Sequence, residues 1–215
     1  MTESDKQPRY ARYQDYVIKD GELIGAFEEM YQDHNDPWLQ SQEDPYQPDK
    51  ALALNALRRL GSENPKLKVL EIGSGLGEFC ATISSHGFET YGLEISETAV
   101  EKAAARHIGP TFMVGDILSR DVYERINPDV LIMSEVTWYV LDKIKEFLGI
   151  VSETLPHVHL VHILTMYPAN EQRYGREYFT TFDGLKEYFG MNVIEQAVID
   201  ADVYEGTQRT FFLGR

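Results

Sequence analysis

Residues 67–79, Leu-Lys-Val-Leu-Glu-Ile-Gly-Ser-Gly-Leu-Gly-Glu-Phe, constrain this chain more than any other stretch. Val69 to Ile72 read as a short buried strand, Gly73, Gly75 and Gly77 as a glycine-rich turn, and Glu78 to Ser84 as the start of a helix. Glycine removes side chains where a backbone must turn sharply and where a ligand must come within van der Waals distance. The helix that follows aims free N–H groups at whatever fills the turn. Glu94 closes the next apolar run nineteen positions after Gly75. At that distance a carboxylate on the tip of the second strand can accept both hydroxyls of a ribose.

From residue 67 onward, short apolar runs alternate with helical patterns. The spacing predicts strands near 67–72, 89–94, 111–115, 129–134, 158–165, 191–199 and 208–214. Helices are predicted near 77–86, 96–107, 119–125, 141–154 and 181–189. Such alternation implies a parallel sheet covered on both faces. Only residues 202–208 separate the last two strands, so these must form an antiparallel hairpin. The expected class is α/β: a doubly wound, mostly parallel seven-stranded sheet with an antiparallel C-terminal hairpin. Ahead of it, Tyr16 to Ile24 read as a hairpin turning at Asp20-Gly21, and Ala26 to Gln32 as a short helix. Residues 33–48 read as an ordered, irregular loop, and Asp49 as the cap of a helix through Leu60 that stops at Gly61.

A dinucleotide site usually shows G-x-G-x-x-G, with its third glycine one position later than here. The pattern Glu71-x-Gly73-x-Gly75-x-Gly77 instead resembles motif I of the class I S-adenosylmethionine (SAM) methyltransferases. The resemblance covers Lys66 to Arg215 and implies a SAM-binding domain at 66–215, with 1–65 as an N-terminal extension and lid. It implies that Glu71 lies near the methionine end of the cofactor, and that Gly73, Ser74, Gly75 and Gly77 form its cradle. Glu94 would then hold the ribose, and Asp116 and Ile117 would contact the adenine. Ile95 would pack on an adenine face or belong to the core. Ser134 would meet the cofactor at the end of the fourth strand.

The segment Ser134-Glu135-Val136-Thr137-Trp138-Tyr139 resembles the fourth-strand region of small-molecule methyltransferases. Trp138-Tyr139 stands where that family often has Glu-His, a departure that removes a common base. Glu135 and Tyr139 are candidate acceptor-orienting groups, although a phenol of ordinary pKa is a poor base at neutral pH. His162 and His34 are the remaining base candidates. His157 and His159 share one face of a strand and His162 takes the other, so a shared metal is not expected. No Asn/Asp-Pro-Pro-Tyr/Phe element follows the fourth strand, which argues against methylation of nucleic-acid bases. Trp38 and Tyr46, in a proline-stiffened loop, suit a lid that excludes water and faces a sulfonium cation; Trp38 could equally anchor the loop. Trp138, Tyr167 and Arg173 are candidate acceptor contacts, Arg173 as a fork for a phosphate or carboxylate. The Asp-Pro-Trp loop and the segment Tyr167 to Tyr174 look similar to methyltransferases of polysaccharide and nodulation-factor pathways.

A net charge of −15 over 215 residues argues against a partner held through phosphate contacts. There is no run of about 18 apolar residues and no apolar signal core at the N-terminus, and Cys80 is the only cysteine. A cytoplasmic protein is expected, free of membrane and nucleic acid, with Cys80 packed as a small apolar residue. The reading is a SAM-dependent methyltransferase acting on a hydroxyl or amino group of a small polar acceptor, a sugar or nucleotide-sugar. Two alternatives stay open: an NAD(P)-dependent oxidoreductase on a related sheet, and a non-catalytic SAM-binding protein.

Overall fold

The computed structural model describes residues 8–200 and 206–215. The first seven residues and most of the expected connection between the last two strands lie outside the described residues.

The N-terminal hairpin pairs β1 (Ile18–Lys19) with β2 (Glu22–Leu23) in antiparallel register. Asp20 and Gly21 take φ of 53° and 82°, the left-handed pair that a two-residue hairpin turn requires. Helix α1 (Phe27–Asp33) follows, and an irregular stretch leads to α2 (Pro48–Glu63). Pro48 sits at the start of α2, where its missing N–H costs nothing. Two expectations change here. Asp49 lies inside the first turn of α2 rather than capping it, and Gly61 does not end the helix, which runs to Glu63. A Cβ at Gly61 would fall 2.9 Å from the Phe88 ring, so the glycine permits a close approach.

The remaining elements alternate as expected: β3 (Lys68–Ile72), α3 (Glu78–Ser85), β4 (Glu89–Glu94), α4 (Glu97–Arg106), β5 (Thr111–Val114) and α5 (Arg120–Ile126). After them come β6 (Val130–Ser134), α6 (Ile144–Thr154), β7 (His159–Met166), α7 (Phe182–Phe189), β8 (Val193–Asp200) and β9 (Gln208–Gly214). The seven-stranded sheet has the order β5-β4-β3-β6-β7-β9-β8. β9 is antiparallel to both β7 and β8, and the other pairings are parallel.

The two sheet faces bury separate apolar clusters. Leu54 and Leu57 of α2 and Phe79 and Ile83 of α3 pack with Val69, Ile132, Val161 and Phe211. Tyr123 of α5, Phe147 of α6 and Leu185 of α7 pack with Leu70, Leu131, Leu160 and Phe212 on the other side. α2 therefore shares its core with the sheet although it precedes the first long strand. A third cluster joins the N-terminal segment to the body through Tyr16, Met30, Tyr31, Leu76 and Ala99. The chain runs outward through β4 and β5 and then crosses back to β6. That reversal opens a crevice beyond the carboxyl ends of β3, β4 and β6, the place where open α/β sheets bind ligands.

Gly77 shows how packing enters the glycine turn. It has φ of 80°, and a Cβ there would fall 2.4 Å from the Phe112 ring. The third glycine thus makes room for a neighbouring aromatic side chain. Overpacking and a strained φ together predict that Gly77→Ala destabilises the fold by about 2–4 kcal/mol, read as a lowered midpoint in urea unfolding. An unchanged midpoint would refute the packing role.

Candidate active site

A cavity of about 600 Å³ fills the crevice at the strand tips. Its floor comes from Glu71, Ile72 and Gly73 at the end of β3, Leu93 to Ile95 at the end of β4, Gly115 to Ile117 after β5, and Ser134 to Val136 at the end of β6. Its roof comes from the N-terminal segment: Tyr13, Val17, Phe27, Tyr31, Trp38 and Gln40. Two hydrogen-bond sets hold that roof down. Glu28 of α1 accepts from Ser96 Oγ at 2.6 Å and from Thr98 N at 3.2 Å and Oγ1 at 2.5 Å, at the start of α4. Gln40 Oε1 accepts from Leu76 N at 2.9 Å, directly over the glycine turn.

Glu94 is almost fully buried and lines the cavity. Its Oε2 accepts from Gly75 N and its Oε1 from Ser96 N, each at 3.0 Å. Burial raises its pKa, while these backbone donors oppose the shift. Glu71 is buried too, and burial pushes its carboxyl up to about 7 despite the Cys80 thiol, which donates to Oε2 at 2.9 Å. Cys80 is therefore more than a small packed residue: its thiol donates a hydrogen bond to the motif I carboxylate, and its backbone also supports that group.

The sign of the pH effect follows. The folded pKa of Glu71 lies above the ordinary carboxylate value of 4.5, so the folded state holds that proton more tightly than the unfolded chain. This contribution to stability is complete below pH 4.5 and is lost as pH rises through about 7. Glu94 and Glu135 shift in the same direction. Stability of the ligand-free protein should therefore fall across that window, and Glu71→Gln should flatten the fall without abolishing it. Chemical denaturation at a series of pH values reads this; identical profiles for the two proteins would contradict the assignment.

The other expected cofactor contacts divide. Ile95, Asp116, Ile117, Ser134 and Trp38 line the cavity. Ile95 is half exposed, so it is no core residue. Asp116 is held by Lys143 Nζ at 2.6 Å and by Leu118 N at 2.9 Å. Gly73, with φ of 70°, lines the floor, and a Cβ there would meet Val136 at 2.5 Å. Gly75 instead lies beneath the roof, where a Cβ would fall 2.6 Å from Gln40 Oε1 and 2.8 Å from the Tyr31 hydroxyl. Ser74 is buried outside the lining, its hydroxyl beside Gly92 and without a hydrogen-bond partner. Tyr46 is exposed and packs on His86, outside the cavity lining.

Among the candidate acceptor and base residues, Glu135, Trp138, Tyr139 and Tyr167 all line the cavity. Glu135 takes φ of 58° immediately after β6, a conformation side chains rarely adopt. Its carboxylate accepts from Thr165 N at 3.0 Å and Thr165 Oγ1 at 2.8 Å, which fixes its direction. Trp138 donates its indole N–H to Thr165 O at 3.1 Å. Tyr139 packs against Phe27 and Trp38, each with ring centroids 5.6 Å apart, and burial followed by the nearby Glu135 charge pushes its phenol well up. Such a phenol can donate a hydrogen bond but holds its proton.

Three candidates fall away from the site. His162 is fully buried in the sheet, stacked on Phe212 with centroids 4.7 Å apart and bonded through Nε2 to Thr137 Oγ1 at 2.7 Å. Burial drives its pKa down to about 3, so it stays neutral, and it lies outside the cavity lining. His34 packs edge-on against Tyr16 behind the roof. Arg173 is exposed and outside the lining.

The residues that motif reading passed over are the cations and their partners. Arg209 of β9 and Asp49 of α2 both line the cavity and form a largely buried ion pair, Nη1 to Oδ2 at 2.9 Å. Lys50 lines it as well and pairs with Glu43 of the roof. A separation of 160 residues hides the Arg209–Asp49 pair from any local pattern.

The sequence profile of a family described as "Methyltransferase domain" matches residues 44–191, more than half of the chain. The chain belongs to the class I SAM-dependent methyltransferases. Solved structures agree in fold. N-methyltransferase NodS from Bradyrhizobium japonicum WM9, in complex with S-adenosyl-L-homocysteine, aligns at a TM-score of 0.60 and 18% identity, over 84% of this chain and 93% of that one. A TehB-like SAM-dependent methyltransferase from Corynebacterium glutamicum aligns at 0.59 and 16% identity, over 88% and 97%. Magnesium protoporphyrin IX methyltransferase ChlM from Synechocystis PCC 6803 with bound SAM aligns at 0.52 and 16%, over 94% and 90%. No curated protein sequence matches significantly.

The methyltransferase cavity fits the cofactor on its own chemistry. SAM carries a sulfonium, an ammonium and two ribose hydroxyls, and the floor offers two buried carboxylates, Glu71 and Glu94, held only by neutral donors. Ile95 and Ile117 supply apolar surface for a flat ring. Among the described residues no helix is long and apolar enough to cross a membrane.

Proposed function

We propose that this enzyme transfers a methyl group to a hydroxyl or amino group of a small polar acceptor, the sugar class suggested by its sequence. The observation that carries the reading is the roofed cavity in which cofactor-type and acceptor-type residues share one space. Glu94 holds the ribose, Glu71 faces the methionine ammonium, and Asp116 with Ile117 and Ile95 frames the adenine. When bound, the cofactor supplies an electrophilic methyl group. The protein contributes alignment and exclusion of water, which are the main needs of a direct displacement.

Trp38, Trp138, Tyr139 and Tyr167 wall the acceptor end, and Glu135 orients the acceptor's polar hydrogen. Of the two sugar classes, a free sugar suits the cavity better than a nucleotide-sugar. Arg173, the expected phosphate ligand, stands outside the lining, and Lys50, Lys143 and Arg209 are each already paired with a carboxylate.

A methyl-transfer screen over sugars, amino sugars, nucleotide-sugars, phenols, peptides and nucleic acids tests the class. Turnover on small polar acceptors is expected. Turnover confined to nucleic acid or peptide would overturn the acceptor class, and tight binding of NAD in place of S-adenosylhomocysteine would overturn the whole reading.

A further inference from the structure

The charge inside the cavity is asymmetric. Among the described residues, each cationic side chain of the lining has a carboxylate partner: Lys50 with Glu43, Lys143 with Asp116, Arg209 with Asp49. The reverse does not hold. Glu71 takes a thiol, Glu94 takes backbone N–H groups, and Glu135 takes the backbone and hydroxyl of Thr165; none of the three is in an ion pair. The cofactor's own ammonium and ribose engage Glu71 and Glu94 in the reading above, which leaves Glu135 as the remaining carboxylate of these three; Asp142 also lines the cavity without an ion pair, but it is exposed. Glu135 stands at the acceptor end with a left-handed backbone, and Thr165 fixes its carboxylate.

Glu135 feels the opposite charges of the Asp49–Arg209 pair, which neutralise each other, and it also has aromatic neighbours. Tyr139 lies close enough to feel its charge, with Tyr13 and Tyr167 also near that ring. Trp38 completes the group, 5.0 Å from Tyr13 and 5.6 Å from Tyr139 between ring centroids. Aromatic faces beside a fixed carboxylate attract an ammonium ion, through the ring quadrupoles and through direct charge. An anionic acceptor would instead meet the unpaired carboxylate beneath the roof, where like charges repel.

We propose that the acceptor of this methyltransferase is an amine, recognised as its ammonium form between Glu135 and the aromatic group Tyr13, Trp38, Tyr139 and Tyr167. This rests on the methyltransferase reading and specifies which of its two acceptor atoms is used. Glu135 has a second part to play: a nucleophilic amine needs a free lone pair, so the ammonium must first give up one proton. The Glu135 carboxylate is the base within the chamber. Burial raises its affinity for that proton, and the two Thr165 donors only partly offset the rise. The N–H bond breaks, its electron pair stays on nitrogen, and the proton forms an O–H bond on Glu135.

The two tryptophans of the chain, Trp38 and Trp138, both line the cavity, so intrinsic fluorescence reports on this chamber. Protein saturated with S-adenosylhomocysteine would be titrated with methylammonium, tetramethylammonium and glucosamine. Methanol, glucose and glucose 1-phosphate serve as the neutral and anionic counterparts. Saturable changes are expected for the ammonium probes, at least about tenfold tighter than for their counterparts. Glu135→Gln should weaken the ammonium probes by about tenfold or more while leaving S-adenosylhomocysteine affinity within about twofold. Equal or tighter binding of glucose or glucose 1-phosphate, or no saturable response to any ammonium probe, would overturn the amine assignment. The wild-type comparison decides the matter even if Glu135→Gln does not fold. Failure of S-adenosylhomocysteine to bind at the outset would be a failure of the methyltransferase reading instead.

Discussion

Replacing Glu94 with alanine is expected to raise the dissociation constant for S-adenosylhomocysteine by two orders of magnitude or more. The carboxylate is buried at the tip of β4 and lines the cavity beside Ile95 and Gly115. Two charge-assisted hydrogen bonds to a ribose are worth roughly 1.5–3 kcal/mol each. Their joint loss, at about 1.4 kcal/mol per tenfold, corresponds to a factor on the order of a hundred to ten thousand. Glu94 also joins the glycine turn to the start of α4 by accepting from Gly75 N and Ser96 N. The substitution therefore loosens the cradle as well as removing a ligand contact. Glu94→Gln separates the two, since its amide oxygen can still accept one backbone N–H while the charge is lost. Calorimetry on folded protein, checked by circular dichroism, reads both variants. An affinity within threefold of wild type for Glu94→Ala would refute the assignment of the ribose to this residue.

The second large effect is on stability. Asp49→Ala should destabilise the protein by about 3–5 kcal/mol, because it leaves the Arg209 guanidinium largely buried without its partner. The pair ties the first turn of α2 to β9, and the Asp49 and Arg209 side chains are 1% and 15% exposed. Arg209→Met removes the charge and keeps apolar volume, yet it strands Asp49, the more deeply buried of the two. Removing both partners together should cost less than either single change, since no unpaired charge remains. Urea unfolding of the three variants forms the cycle. Additive losses would show that the two residues act independently.

Several features of this site were legible in the sequence because they are local. The alternation of apolar runs and helical patterns marks every strand of the large sheet to within two residues at each end, and the short connection before β9 calls for the antiparallel hairpin. Asp20-Gly21 marks a turn because only residues tolerant of positive φ can make it. Glu94 could be read from its distance to Gly75, because a β–α–β unit of ordinary length brings those two positions together, and Gly75 N indeed donates to Glu94 Oε2. Each of these depends on a short window of residues, where chain geometry leaves few alternatives.

What remained hidden depends on strand order and burial. His162 reads as a candidate base because it lies nearest the carboxyl end among the three clustered histidines, but its ring packs against Phe189 of α7 and Phe212 of β9, and burial leaves it neutral. Arg173 reads as an acceptor ligand and Arg209 carries no local signal; only the pairing of β7 with β9 brings Arg209 opposite Thr165, on the cavity side. Gln40 over the glycine turn, Cys80 on Glu71 and Phe112 against Gly77 likewise join elements whose distance in space no periodicity records. The sequence by itself determined the sheet, the turn and the cofactor class, because hydrophobic period and glycine placement act within one or two elements. The tertiary structure alone decided which charges are paired inside the cavity, because a charge finds its partner only after the sheet has closed and water has been excluded from around it.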